Sequence, residues 1–132
     1  MFTASQIVAH LVGDYVFQNA YMAENKRKSF LVAISHGVCY TIPFIFITQN
    51  LIALFLIAFT HAIIDHFALA RYVVYARNQF APSEYRYKLK FTFPMGEGPN
   101  DRAPGHIAFF VFVVVDNTMH ILTNGVILYY LT

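Results

Sequence analysis

Three pairs of ionisable residues, each pair one helical turn apart, interrupt otherwise apolar sequence: His10 and Asp14, His61 and Asp65, and, in reversed order, Asp116 and His120. His36 stands alone in a further apolar stretch. Residues at i and i+4 share a helix face, so each pair can aim two donor groups at one point. Imidazole nitrogens and carboxylate oxygens, with no thiolate among them, favour zinc or manganese and do not choose between the two. Four imidazoles and three carboxylates exceed the needs of one tetrahedral zinc and suit two ions bridged by a carboxylate. The alternative is local pairing that glues helices together. Recurrence of the spacing favours a metal centre over it. His66 follows Asp65 and should point elsewhere, and His106 opens its helix at an interface where a solvated imidazole is ordinary.

Polar groups beside this cluster can hold a substrate. Gln18, one turn after Asp14, continues the polar face, with Asn19 next to it. Asn25, Lys26, Arg71 and Lys88 or Lys90 can meet an anionic group. For each basic residue taken singly, anchoring to anionic lipid is the simpler role.

The elements that must position these residues follow from composition. Of 132 residues, 58% are hydrophobic and only 12% charged, against about 25% charged in a soluble domain. Such a chain cannot dress an aqueous surface, which excludes a disordered chain, a coiled coil and most soluble enzymes. Nine Tyr and fourteen Phe, with no Trp, suit the interfacial belt of a membrane protein. A net charge of +2 is too mild for nucleic acid. Cys39 is the single cysteine, so an internal disulfide and a CxxC metal site are both excluded. No basic stretch precedes the first apolar run, so that run is expected to stay in the mature protein as a helix.

A membrane-crossing helix takes about 20 apolar residues, and four windows qualify: 2–22, 29–48, 51–70 (with helix continuing to Asn78) and 105–130. Pro43 is expected to kink the second helix without ending it. Lys26, Arg27 and Lys28 lie between the first two windows; Arg71, Arg77, Arg86, Lys88, Lys90 and Arg102 lie at or beyond the end of the third, before the fourth. The connection at Gln49 and Asn50 carries no charge. All Lys and Arg therefore share one side, which the positive-inside rule makes cytoplasmic, with both termini outside. Between 79 and 104, alternation of Tyr85, Tyr87, Leu89, Phe91 and Phe93 with Arg86, Lys88, Lys90 and Thr92 suits a strand or extended segment in the headgroup layer, followed by a turn-rich PMGEGPNDRAPG. A cytoplasmic lid or hairpin and a plain interfacial anchor both fit. The expected fold is an all-α, four-helix transmembrane bundle forming one domain in a bacterial inner membrane. Counted inward from the cytoplasmic ends, Asp14, His36, His61, Asp65 and Asp116 fall about five to eleven residues deep, with His120 deeper. An ionisable group at such a depth costs about 2.5–3.5 kcal/mol, so these groups should compensate one another.

The segments AHLVGDYVFQNAYMAENKRKS, SHGVCY and LIAFTHAIIDHFALAR together resemble a family of small integral membrane proteins of bacteria and their phages, marked by His-x-x-x-Asp motifs. The resemblance covers residues 5 to 71 well; the last helix agrees through Asp116 and His120 only. That family names no activity. A looser likeness is to inner-membrane metal-dependent hydrolases and to the zinc-dependent phospholipase C and P1 nuclease superfamily. It implies His10, Asp14, His36, His61 and Asp65 as metal ligands, Asp116 and His120 with less support, and phosphoester hydrolysis as the chemistry.

Three functions follow as expectations. In the first, a membrane-embedded phosphoesterase activates a water on zinc or manganese; Asp14, Asp65 or Asp116 bridges the ions or takes the proton, and Gln18, Asn25, Lys26 and Arg71 hold an anionic phosphoester. In the second, the same residues form a transit site for a metal ion, which four spans can build only as a homo-oligomer. In the third, the chain is a non-enzymatic membrane factor with a structural polar cluster.

Overall fold

A computed structural model describes residues 3–83 and 105–132, the latter without side chains for 105–108. Among the described residues every regular element is helical, and there is no strand. The expected extended segment at 85–93, the turn-rich stretch after it, and Lys88, Lys90 and the His106 side chain lie outside the described residues.

Thr3 caps α1 (Ala4–Leu11) by accepting from the Gln6 backbone N–H at 3.3 Å. The chain then widens into a π turn, Val12–Val16, and stops. The first window is therefore not one helix to residue 22. Asn19 restarts the chain, its side chain accepting from Met22 N at 2.9 Å to cap the short α2 (Ala20–Asn25). The next helix, α3 (Phe30–Thr41), tightens into a 3-10 helix over Ile42–Phe46. Pro43 lacks the N–H that the α pattern would use there, so the helix continues in narrower form. Asn50 caps α4 (Leu51–Phe67), accepting from Ile52 N at 2.9 Å, and its amide donates to Leu131 O at 2.7 Å.

Ala68 takes a left-handed conformation, φ 47°, and ends α4. The continuation to Asn78 is thus a separate helix, α5 (Ala70–Asn78). The last helix, α6, runs Gly105–Leu131, close to the expected fourth window.

The described chain forms two compact units, Met1–Phe67 with Met119–Thr132, and Ala68–Thr118. In the first, α3 and α4 pack so closely that a Cβ on Gly37 would meet Ala58 O at 2.5 Å. Ala9, Tyr40, Phe44, Ile57 and Leu128 form its apolar core. Polar groups are buried beside that core: Gln6, His10, Asp14, His36, His61, Asp65, His120 and Asn124. Apolar side chains including Val8, Val16, Leu31, Phe46, Leu51 and Phe55 are exposed instead. In the second unit, Ala70, Val74 and Phe112 are buried.

Helix length sets the membrane arithmetic. Among the described residues, Phe109–Leu131 is the one unbroken helix both long and apolar enough to cross a bilayer, with 23 residues and a mean hydropathy of 1.5. Phe30–Phe46 is apolar but shorter, and α4 stops at 17 residues. The expected four full-length spans are not present as four unbroken helices.

Candidate metal centre

Four donors converge in the first unit, from three elements. Asp14 comes from the π turn, where one extra residue per turn widens the helix; such turns are frequent at functional sites. Gly13 beside it is needed, because a Cβ there would lie 2.6 Å from Tyr40 Cδ2 and 2.7 Å from Tyr40 O. His36 comes from α3, next to the Gly37 contact with Ala58, and His61 and Asp65 share one face of α4. Close approach of α3 to α4 is what lets His36 reach His61.

The distances form a closed figure. His36 Nε2 lies 3.0 Å from His61 Nε2. Asp14 Oδ1 is 3.2 Å from His36 Nε2 and 3.3 Å from His61 Nε2. Asp65 Oδ2 is 3.4 Å and 3.0 Å from the same two nitrogens. A tetrahedral ion with bonds of 2.0–2.2 Å to nitrogen and oxygen sets its donors roughly 3.3–3.6 Å apart. The donor atoms of all four residues lie within 4.8 Å of one another. These groups can hold a metal ion. Burial makes the arrangement more telling, since His36, His61, Asp65 and Asp14 are 0%, 1%, 4% and 7% exposed.

Each carboxylate keeps its second oxygen outside this figure. Asp14 Oδ2 faces His10 Nδ1 at 3.7 Å, and Asp65 Oδ1 faces His120 Nε2 at 3.6 Å. Lys26 Nζ donates to Asp65 Oδ2 at 2.8 Å, so the loop before α3 supplies a cation to the cluster. The His66 ring nitrogen Nδ1 lies 2.9 Å from the Lys26 carbonyl oxygen. Adjacent residues of α4 thus grip both the side chain and the backbone of Lys26.

The imidazoles are oriented by rings. His36 Nδ1 and His61 Nδ1 are buried with no hydrogen-bond partner among the described residues. Tyr40 stacks on His61 with centroids 3.7 Å apart, and His120 lies 4.1 Å from His61. Tyr40 is fully buried, and its Oη accepts from Asn124 Nδ2 at 2.5 Å. Tyr40 Oη also pairs with His10 Nδ1, 2.8 Å away, the tautomer of His10 setting which of the two donates. Gln6 Nε2 donates to Ile121 O at 3.1 Å, tying α1 to α6.

Of the residues singled out by spacing, the first unit brings together His10, Asp14, His36, His61, Asp65 and His120. Asp116 and Arg71 belong to the second unit, where Arg71 Nη2 donates to Tyr72 Oη at 3.0 Å. Asn25 donates to Tyr21 O within α2. Gln18 Oε1 is buried and has no hydrogen-bond partner among the described residues. Spacing did not single out Tyr40, Asn124 or Gln6. The two amides stood in apolar windows as visible polar interruptions.

The sequence family described as "Protein of unknown function (DUF3307)" matches residues 2–132. No curated protein and no solved structure matches the chain.

Proposed function

The chain belongs to the DUF3307 family, and for this member we propose a membrane-embedded, metal-dependent hydrolase of a phosphoester, a phospholipid or another phosphodiester. The observation that carries this reading is the buried set Asp14, His36, His61 and Asp65, spaced for one ion, with Lys26 bonded to its edge. A divalent ion held there, zinc or manganese by its donors, would supply Lewis acidity and an activated water. The chain's own contribution is placement. Lys26 offers a positive charge to a phosphate, and Asp14 Oδ2 and Asp65 Oδ1 remain available to accept a proton or to reach a second ion.

A bilayer as the solvent explains the inverted distribution of side chains, with His, Asp, Asn and Gln inside and Val, Leu and Phe outside. We read four membrane-crossing segments, the first interrupted between Phe17 and Asn19, in a bacterial inner membrane with the Lys- and Arg-bearing side cytoplasmic. Phe30–Phe46 and Leu51–Phe67 have 17 residues each, the lower limit for a crossing. Lipid is then the constant partner, and the small net charge gives no footprint for nucleic acid.

One observation favours a second reading. Four protein donors close the coordination of a tetrahedral ion, as in structural sites, whereas catalytic zinc keeps an open position. The centre would then be structural, in a non-enzymatic membrane factor, or a transit site for a metal ion in a homo-oligomer. Metal content of the purified protein beside its His61→Ala variant tests the centre itself. Metal-loaded protein on a panel of phospholipids and dinucleotides then separates the readings. Turnover that needs the ion supports the hydrolase, and silence with metal bound leaves the second reading.

A further inference from the structure

Lys26 indicates what an occupied centre must take in. Its ammonium is bonded to Asp65 Oδ2 at 2.8 Å, and that oxygen is also one of the four converging donors. An ion coordinated by the same oxygen would sit roughly 4 Å from the ammonium. Two cations so close, away from bulk water, repel strongly.

Charge counting leads to the same place. Asp14 and Asp65 together cancel one divalent ion, and ligating imidazoles are neutral. Among the described residues the ion pair of Lys26 is with Asp65, and the Lys26 side chain is only 13% exposed. Metal loading therefore leaves one positive charge largely out of water, and a buried charge without a partner is costly. Within the first unit, one negative charge restores balance. A doubly charged phosphomonoester would overshoot, and a neutral triester would add nothing.

Resting on the metal centre proposed above, we infer that metal binding releases Lys26 from Asp65, and that Lys26 then holds a phosphodiester monoanion beside the ion, which would take it as a fifth ligand. Ion and anion are consequently coupled, each tightening the other by the same factor. The chemistry is common to a lipid headgroup and to a soluble diester.

The test titrates zinc into the full chain, purified in an uncharged detergent, with and without dimethyl phosphate. Zinc affinity should rise about tenfold with the diester, within the usual range of such couplings, and stay unchanged with trimethyl phosphate. Acetate or inorganic phosphate acting as strongly as the diester overturns the assignment of ligand. Dihexanoyl phosphatidylglycerol outperforming dimethyl phosphate identifies a lipid source; parity identifies the soluble one. In Lys26→Met, zinc should bind at least as tightly as in wild type and the diester effect should vanish; persistence of that effect overturns the role of Lys26. Should this variant fail to fold, amine labelling of wild-type Lys26 followed by mass spectrometry replaces it. Labelling should increase with zinc and fall back with the diester, and labelling indifferent to zinc overturns the release. Zinc binding with no anion effect sinks this inference alone. Coupling without cleavage sinks the hydrolase alone, and absence of zinc binding sinks both.

Discussion

The Tyr40 ring lies flat on the His61 imidazole, with centroids 3.7 Å apart and planes 16° from parallel. With His61 Nδ1 lacking a hydrogen-bond partner among the described residues, this stack, together with the His120 ring 4.1 Å away, orients the ring plane towards His36 and Asp65. Tyr40→Phe keeps the stack and removes the hydroxyl bonds to His10 and Asn124. It should cost about 1–3 kcal/mol of stability, the usual effect of removing a buried hydrogen-bond partner, with little change in zinc affinity. Tyr40→Leu leaves a smaller apolar side chain and loses the stack as well as the hydroxyl, for which Tyr40→Phe is the control. Zinc affinity should then fall about 10- to 100-fold, as when a ligand loses its orienting partner. Thermal unfolding and zinc titration of both variants check this, and equal affinity in Tyr40→Leu refutes the orienting role.

Gly37 sets the spacing of α3 and α4. A methyl group there would meet the Ala58 carbonyl oxygen at 2.5 Å, and backbone cannot rotate aside. Gly37→Ala should destabilise the protein by about 1–3 kcal/mol, the range for overpacking. Because His36 and His61 come from these two helices, metal affinity should fall with it. A variant of wild-type stability and affinity would show that the helices slide freely at this contact.

Much of the centre is legible in the sequence because helical spacing is rigid. His61 and Asp65 share a face of α4 wherever that helix goes, and His36 reads as unusual from its apolar surroundings alone. The π turn is not legible, since nothing in VGDYV announces a fifth residue in the turn, and the turn is what delivers Asp14. Tyr40 reads as an interfacial aromatic when only its neighbours in SHGVCYTIPF are known, and its burial depends on Gly13 of a different helix. The break after Val16 does leave a trace. Gln18 and Asn19 read as a continuing polar face, but Asn19 caps a new helix, the other habitual role of that residue type.

Metal removal should weaken the fold, because the donors of the centre join the π turn, α3 and α4. A ligand at about a hundred times its dissociation constant adds about 2.7 kcal/mol of stability. Chelator treatment should therefore lower the unfolding temperature, and zinc or manganese should restore it. Asp65→Asn preserves shape and removes a charged ligand, so its unfolding temperature should not respond to either ion. A wild-type protein equally stable with and without metal would leave the four-donor cluster as a hydrogen-bonded network only.

Topology gives the remaining prediction. The α3 segment and its 3-10 extension have rises of about 1.5 Å and 2.0 Å per residue. Together Phe30–Phe46 measures about 28 Å, close to the roughly 30 Å hydrocarbon thickness. Basic Lys28 and uncharged Gln49 flank this segment, and both are exposed. If Phe30–Phe46 crosses the bilayer, these two positions face opposite compartments, with Lys28 cytoplasmic by the charge rule. Single cysteines at Lys28 and Gln49, placed in a Cys39→Ser background, can be probed with a membrane-impermeant thiol reagent on intact spheroplasts. Gln49→Cys should label from outside, whereas Lys28→Cys should label only after the membrane is opened. Labelling of both from the same side would mean that this helix lies along the membrane or away from it, and the four-crossing reading would fall with it.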